Sequence, residues 1–235
     1  MPTDELLRWS SHGVRVRAWR DQRHIAHLTP VRRPGSLRRR DVDEVLDGLV
    51  SDRVTGALTS ALGPYEERVF REAGFDVHER LLLLRHDLTD VGGSGDNELR
   101  RAGRRDRAAV LDVDRSAFRD FWQLDDAGLS DAIRATPHAR FRVAVDDDEV
   151  VGYAVTGRAG NAGFLQRLAV RPDQQGKAIG RSLVNDGLAW LRRRRAHHVL
   201  VNTQHDNSRA IDLYERLGFR REPHDLAVLR WGEAP

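Results

Sequence analysis

Apolar positions fall in two alternating periods in the C-terminal third of this chain. Phe164 to Val170 is a nearly continuous apolar run bounded by Gly163 and Pro172, which predicts a largely buried strand. Pro172 to Gly176 reads as a turn. From Lys177 the period lengthens, with Ile179, Leu183, Leu188 and Leu191 near three- and four-residue steps, which predicts a helix. His198 to Asn202 predicts a short strand. Asp206 or Asn207 can cap the next helix, where Ala210, Ile211, Tyr214 and Leu217 form an apolar stripe and Gly218 stands at the C-cap. Phe219 then opens a closing strand.

Upstream, Leu99 to Ala102 predicts a strand, Asp106 to Phe118 and Asp125 to Ala135 two helices, and Arg140 to Val145 with Val150 to Thr156 a hairpin. The acidic run Asp146 to Glu149 between those strands reads as a solvated turn, since no convergent partners accompany it. His197, His198 and His205 lack a metal-ligand spacing, so no metal is expected.

The first ninety residues read as a damaged half-repeat of the last sixty. Val69 to Phe75 matches Leu213 to Phe219 without a gap, and strands follow both, Arg80 to Arg85 and Asp225 to Arg230. Val54 to Ala61 corresponds to His198 to Gln204, and Val45 to Leu49 to Val184 to Leu188. Val14 to Trp19 and His24 to Val31 predict two earlier strands. The repeat lacks polar groups that its partner carries. Phe70 stands where the later copy has Tyr214, Gly63 where it has Asn207, and Ser36 to Asp41 where it has Gln175 to Gly180. The expected organisation is a structural unit over 1–90, a polar linker over 91–97, and a functional domain over 98–235.

A strand, a turn and a helix starting near Lys177 place free backbone N–H groups at a helix N-terminus, which is an anion site. Gly176 and Gly180 are expected to let a ligand approach the backbone, and Lys177 and Arg181 to add charge. The loop is not a Walker loop, because Ala178 follows Lys177 and Arg171 stands where the first Gly belongs. Nor does it supply the Gly-x-Gly-x-x-Gly of a dinucleotide site.

The loop Gln175-x-x-Ala178-x-Gly180, with the stretch Asn202 to Phe219, resembles the acyl-CoA-binding half of the GCN5-related N-acetyltransferase (GNAT) superfamily. The sequence departs from that pattern at Ala178, where Gly is usual. The resemblance implies an α/β (α+β) GNAT fold, a mixed twisted sheet flanked by helices and preceded by a partial GNAT-like half-repeat. It implies acetyl-CoA as acyl donor, held by Leu168, Ala169, Val170, Gln175, Gly176, Lys177, Ala178, Ile179, Gly180, Arg181, Asn202, Asn207 and Ala210. A backbone N–H within Leu168 to Val170 would stabilise the oxyanion, and Tyr214 would protonate the departing thiolate. The acceptor would be a small amine or a peptide N-terminus. Phe164 occupies the place of the Glu base of histone-type members, which leaves Gln166, Asp120 or Asp125 as local substitutes and no base assigned. Phe118, Phe121, Trp122 and Leu124 are candidates for an acceptor wall, or for core. A non-catalytic acyl-CoA sensor is the alternative, slightly favoured by Phe164 and Ala178.

Composition narrows these readings. No cysteine is present, which excludes disulfides, thiolate metal sites and a Cys nucleophile. No apolar run approaches a membrane span, and Met1 to Glu5 has no signal-peptide pattern, so a cytoplasmic protein is expected. The net charge is +3, and Lys177 is the only lysine among many arginines. The run Arg192 to Arg195 ends a predicted helix, where cations are favourable. An Arg-rich nucleic-acid-associated protein is a third reading, disfavoured because no aromatic interleaving or known module accompanies the arginines. Monomer and homodimer both stay open.

Overall fold

The computed structural model describes residues 8–20, 22–31, 35–93 and 95–234, with only the backbone of Arg8 and Trp9. The leader reading of Met1 to Glu5 and linker residue Ser94 lie outside these. Two compact units emerge. One comprises 1–83, 202–206 and 222–235, the other 84–201 and 207–221.

In the first unit the strands are β1 (Arg8–Ser11), β2 (Val14–Trp19), β3 (Gln22–Pro30), β4 (Gly56–Thr59) and the first part of β5 (Asp76–His86). Helices α1 (Arg39–Ser51) and α2 (Pro64–Glu72) separate β3, β4 and β5. β1, β2 and β3 pair antiparallel, and β3 and β4 pair parallel. The core is Val14, Val16, Leu28, Val42, Val45, Leu49 and Phe70 with residues of the last strand, Ala227 and Leu229.

The second unit carries β6 (Glu98–Arg101), α3 (Arg107–Ala117), α4 (Asp126–Arg134), β7 (His138–Asp146), β8 (Glu149–Ala159), β9 (Ala162–Val170) and α5 (Ile179–Arg193). β10 (His198–Gln204), α6 (Ser208–Arg216) and β11 (Arg220–Arg221) follow. β6 to β9 run antiparallel in order, and β10 joins β9 in parallel. β8 is buried without a break from Val151 to Gly157 because helices cover both its faces. Val110, Val113 and Leu129 of α3 and α4 pack with Tyr153, Val155 and Ala169 on one face. On the other, Gly163 and Gly152 leave room for Leu191 and Ile179 of α5. The β7–β8 turn holds Asp147 and Asp148 at φ 49° and 64°, the two-residue geometry that suits a hairpin's twist. The exposed acidic run is that turn, and no cluster of metal-ligating side chains exists among the described residues. Nor, among them, is any helix long and apolar enough to cross a membrane.

The sequential division at 90 and 98 differs from this grouping. The last strand, β12 (Leu226–Gly232), lies in the first unit, antiparallel to β4 on one side and to β5 on the other. The two strands that read as repeats of each other therefore pair with each other, Leu81 opposite Leu226 and Arg80 opposite Ala227. Burial explains this: Ala227, Val228 and Leu229 are at most 3% exposed, and a lone C-terminal strand has no other apolar surface to cover. The linker is also not free. Gly93 O accepts from Asn185 Nδ2 at 2.7 Å, and Asn97 Nδ2 donates to Ser182 Oγ at 2.9 Å, so it is bonded along α5.

Deleting 222–235 removes a strand from between two others. Val228 and Leu229 alone contribute roughly 3–6 kcal/mol by burial. The shortened chain should lose amide-exchange protection throughout β3 and β4. Retained protection there would show that β12 is dispensable to that sheet.

Candidate active site at the open edge of β9

β9 is paired along one edge and open along much of the other. On the β10 side the ladder covers only Ala162, Gly163 and Phe164, opposite His198, Val199 and Leu200. On the β8 side pairing continues to Val170, and Arg171 N donates to Val151 O at 2.9 Å. Antiparallel hydrogen-bonded pairs recur every second residue, so Arg171, Ala169 and Arg167 bond inward to β8. The N–H and C=O groups of Leu168 and Val170 then face the open edge. Of the three strand residues expected to serve the cofactor, Leu168 and Val170 offer their N–H groups, while that of Ala169 is spent in the ladder.

The edge runs directly into a helix N-terminus. Gln175 donates from Nε2 to Val170 O at 3.1 Å, folding the turn back onto the strand end. Gly176 has φ 88° and Ala178, the N-cap of α5, has φ 60°. The first helical bond is Ser182 N to Ala178 O, so the N–H groups of Ile179, Gly180 and Arg181 have no intrahelical partner. No side chain caps this end and no acidic residue occupies its first turn. Three aligned N–H groups and the positive end of a fifteen-residue helix are thus presented to an anion.

The glycines also answer constraints within the chain itself. A Cβ on Gly176 would meet nothing within 4 Å, so its positive φ is the constraint. A Cβ on Gly180 would lie 3.2 Å from Leu213 Cδ2, so that glycine lets α5 pack against α6. Ala178 shows its cost in the backbone, as a left-handed residue with a Cβ. Lys177 Nζ lies 3.3 Å from Asp146 Oδ2, and both are exposed. Arg181 is exposed on the first turn.

Asn207 caps α6, accepting from Ala210 N at 3.2 Å. That bond engages both residues expected at the cofactor in the helix start. Asn202, exposed on β10, belongs to the stretch grouped with the first unit. Tyr214 is 5% exposed, its ring 5.5 Å from that of Phe219. Burial raises its phenol well above the ordinary tyrosine range, against a smaller opposing effect of the Arg167 charge. It is therefore a phenol, a proton donor, throughout neutral pH.

The first unit repeats this helix end with different chemistry. Phe75 N donates to Phe70 O as Phe219 N does to Tyr214 O, and Gly74 and Gly218 have φ 92° and 89°. Phe70 and Phe75 meet edge-on at 5.1 Å. The earlier helix α1, however, is closed by its own carboxylate. Asp41, 5% exposed in the first turn, accepts from Arg38 N at 2.9 Å.

The residues weighed as a base are placed as follows. Asp125 caps α4, accepting from Gly128 N at 2.6 Å. Asp120 is exposed and accepts from Gln123 Nε2 at 3.0 Å. Phe164 is half-buried. Gln166 sits at a bulge, where Thr156 pairs with Leu165 and Val155 with Arg167, and its Nε2 lies 3.5 Å from Thr136 Oγ1.

Pattern reading missed a buried ionic cluster. Asp114 of α3, fully buried, accepts from Arg167 Nε at 2.8 Å, from Arg167 Nη2 at 2.9 Å and from the Tyr153 hydroxyl. Burial, more than any neighbouring charge, pushes that hydroxyl far above the usual phenol range. The only hint in the sequence was an Asp on the apolar side of α3 and an Arg inside an apolar strand.

A family model described as the acetyltransferase (GNAT) family matches residues 107–219. A mycothiol acetyltransferase of Geodermatophilus obscurus is 31% identical over 220 residues, covering 84% of this chain and 71% of that protein. One of Acidothermus cellulolyticus is 32% identical over 198 residues, covering 73% of this chain and 60% of that protein. Among solved structures, a tandem GNAT protein from the clavulanic acid biosynthesis pathway superposes with TM-score 0.69 at 14% identity, over 94% of this chain and 79% of that one. A GCN5-related N-acetyltransferase from Kribbella flavida gives 0.65 at 10% identity, over 98% and 91%. The last two are likenesses of fold.

The left-handed N-cap predicts a stability difference that needs no ligand. Ala178→Gly should raise unfolding free energy by about 1 kcal/mol by removing Cβ strain, whereas Ala189→Gly within α5 should lower it by about 1 kcal/mol. Urea denaturation of the two variants measures both. Equal losses would mean that Ala178 carries no strain.

Proposed function

The chain belongs to the acetyltransferase (GNAT) family, and from that premise we propose that the open edge of β9 and the N-terminus of α5 bind acetyl-CoA for transfer of its acetyl group to a primary amine. The observation that carries this reading is the contrast between two helix starts. α1 is sealed by Asp41, whereas α5 is uncapped and without an acid at the end of a strand whose edge is unpaired. An extended ligand can add along β9 by the N–H groups of Leu168 and Val170, as a strand adds to a sheet edge. Its pyrophosphate then meets the N–H groups of Ile179, Gly180 and Arg181.

Acetyl-CoA supplies the acetyl group. The attacking amine nitrogen forms a bond to the carbonyl carbon, and the bond from that carbon to sulfur breaks. Leu168 N–H, or Val170 N–H one ladder step further, stabilises the negative charge that gathers on the carbonyl oxygen. The Tyr214 phenol gives its proton to the sulfur that leaves, and the proton that the amine nitrogen sheds passes through solvent and restores the phenol. Burial keeps the phenol protonated at neutral pH, so the proton is in place when the thiolate leaves, while making it a weaker acid than a free phenol.

The acceptor is an amine. The relatives named mycothiol acetyltransferase direct the first trials to mycothiol-related amines, beside glucosamine, spermidine and a peptide with a free N-terminus. The first unit serves as a structural partner and binds no second cofactor. Phe70 lacks the hydroxyl of Tyr214, and Asp41 fills the anion position.

Calorimetry with acetyl-CoA should give one site per chain. A concentration of 100 times the dissociation constant should add about 2.7 kcal/mol to stability. Ala178→Asp separates folding from binding. A left-handed position tolerates Asp and Asn better than Ala, so Ala178→Asp and Ala178→Asn should both be at least as stable as wild type. The Asp carboxylate should weaken acetyl-CoA by about 1–2 kcal/mol, roughly 5- to 30-fold, while Ala178→Asn does not. Unchanged affinity in the Asp variant would place the pyrophosphate elsewhere.

Tyr214→Phe keeps the ring and removes the hydroxyl. It should leave acetyl-CoA affinity intact and lower kcat by about 100- to 10,000-fold where chemistry limits the rate. Wild-type kcat should show no alkaline limb from Tyr214 below pH 10, its ordinary value, because burial raises the phenol. Full kcat in the variant would reduce Tyr214 to a core residue. Tight acetyl-CoA binding without transfer to any amine would make the protein a sensor.

A further inference from the structure

The Asp114–Arg167–Tyr153 cluster has no place in the chemistry so far derived, yet it is the most desolvated charge in the second unit. Asp114 is fully buried, and the side chain of Arg167 is 12% exposed. Two properties single it out. First, a buried ion pair is a poor way to gain stability, since apolar residues of the same volume generally serve as well or better. Second, its remaining bonds all lead to one short segment. Arg167 Nη2 donates to Trp122 O at 2.6 Å, and Leu124 N donates to Asp114 Oδ1 at 2.7 Å. The Arg167 guanidinium carbon stands 3.6 Å from the centre of the Phe118 ring. The connection between α3 and α4 is thereby held at three points, at Trp122 O and the Phe118 ring by Arg167 of β9 and at Leu124 N by Asp114 of α3. Arg167 sits between the Gln166 bulge and Leu168, whose N–H faces the reacting edge.

The bulge is what makes this possible. Leu165 and Arg167 pair with adjacent residues of β8, Thr156 and Val155, so they point to opposite faces of the sheet. Without the extra residue Arg167 would fall on the α5 face with Leu165. With it, Arg167 reaches the α3–α4 side while the strand beyond continues with its edge open.

We propose that Arg167, fixed by Asp114, is a positioning residue that sets segment 118–124 against the reacting stretch of β9 and so determines where the acceptor amine sits. This rests on the acetyl-transfer reading above. Arg167 touches no reacting atom. It acts through Trp122 and Phe118 directly and through Leu124 by way of Asp114, and its rigid fork serves the purpose because it bonds a carboxylate and a carbonyl at once.

Two variants test this. Asp114→Leu with Arg167→Met and Tyr153→Phe exchanges the cluster for apolar groups of similar size and should still fold. Arg167→Lys keeps the charge but cannot fork, and covers the case in which the triple variant fails to fold. Hydrogen exchange by mass spectrometry, with no amine present, should show peptides over 118–124 exchanging roughly tenfold faster or more, with α5 unchanged. Unchanged exchange there in the variants overturns the proposal whatever the activity. Kinetics with glucosamine, spermidine and an alanine-initiated peptide should show the amine KM raised roughly 10- to 100-fold with the acetyl-CoA dissociation constant unaltered. An unaltered amine KM beside an active wild type overturns the proposal alone. A wild type that binds acetyl-CoA and acetylates no amine overturns the transfer reading, and this role for Arg167 with it.

Discussion

One constraint organises the second unit: β9 is paired along the whole of one edge and only over its first three residues on the other. The β8 ladder supplies rigidity as far as Val170, while the parallel ladder to β10 stops at Phe164. An unpaired edge inside a folded unit is normally a liability, because its N–H and C=O groups invite any passing strand. Here the edge ends at a helix start that is also left uncapped. Donors outside the β8 ladder, Leu168 and Val170, and donors outside the helical ladder, Ile179 to Arg181, lie on a strand and a helix joined by one short turn. A family that binds a long cofactor with an acyl thioester at one end and phosphates at the other has use for such an arrangement.

The two units show how little it takes to close such a site. In each, a helix ends at a left-handed glycine, and an aromatic pair five residues apart closes the turn. Among their differences are a carboxylate in the first turn of α1, Gly63 where Asn207 caps α6, and the hydroxyl of Tyr214. Asp41 accepts the Arg38 N–H and places a negative charge in the first turn of α1, which offsets the field there. Phe70 packs as well as Tyr214 but has no proton to give. Packing constrains the ring and the glycine in both, while nothing in folding requires an uncapped helix start or a phenol.

Glycine and alanine at the loop illustrate the same separation. Gly180 is required by Leu213 across the helix interface and Gly176 by its backbone angle. Ala178 is tolerated although a glycine would relieve it. The loop's shape is therefore constrained by packing and by φ.

The sequence by itself determined the elements, their order and the chemistry of the loop. Period, turn residues and caps are local, and the helix from Ile179, the capped helix after Asn207 and the Asp147–Asp148 hairpin all follow from residues within one or two turns. It also carried the likeness between Val69–Phe75 and Leu213–Phe219, since a short helix end with a glycine is a local object. Tertiary structure alone decided the rest. β12 leaves the segment it follows in sequence and enters the sheet of the first unit, because strand partners are chosen by apolar burial between segments far apart. Which N–H of Leu168 to Val170 is open depended on the parity of the β8 ladder. The face that Arg167 takes depended on a bulge at Gln166, and its meeting with Asp114, fifty-three residues away, on the packing of α3. Local propensity is legible along the chain, whereas pairing parity, bulges and buried charge contacts arise between distant segments and are settled only when the chain packs.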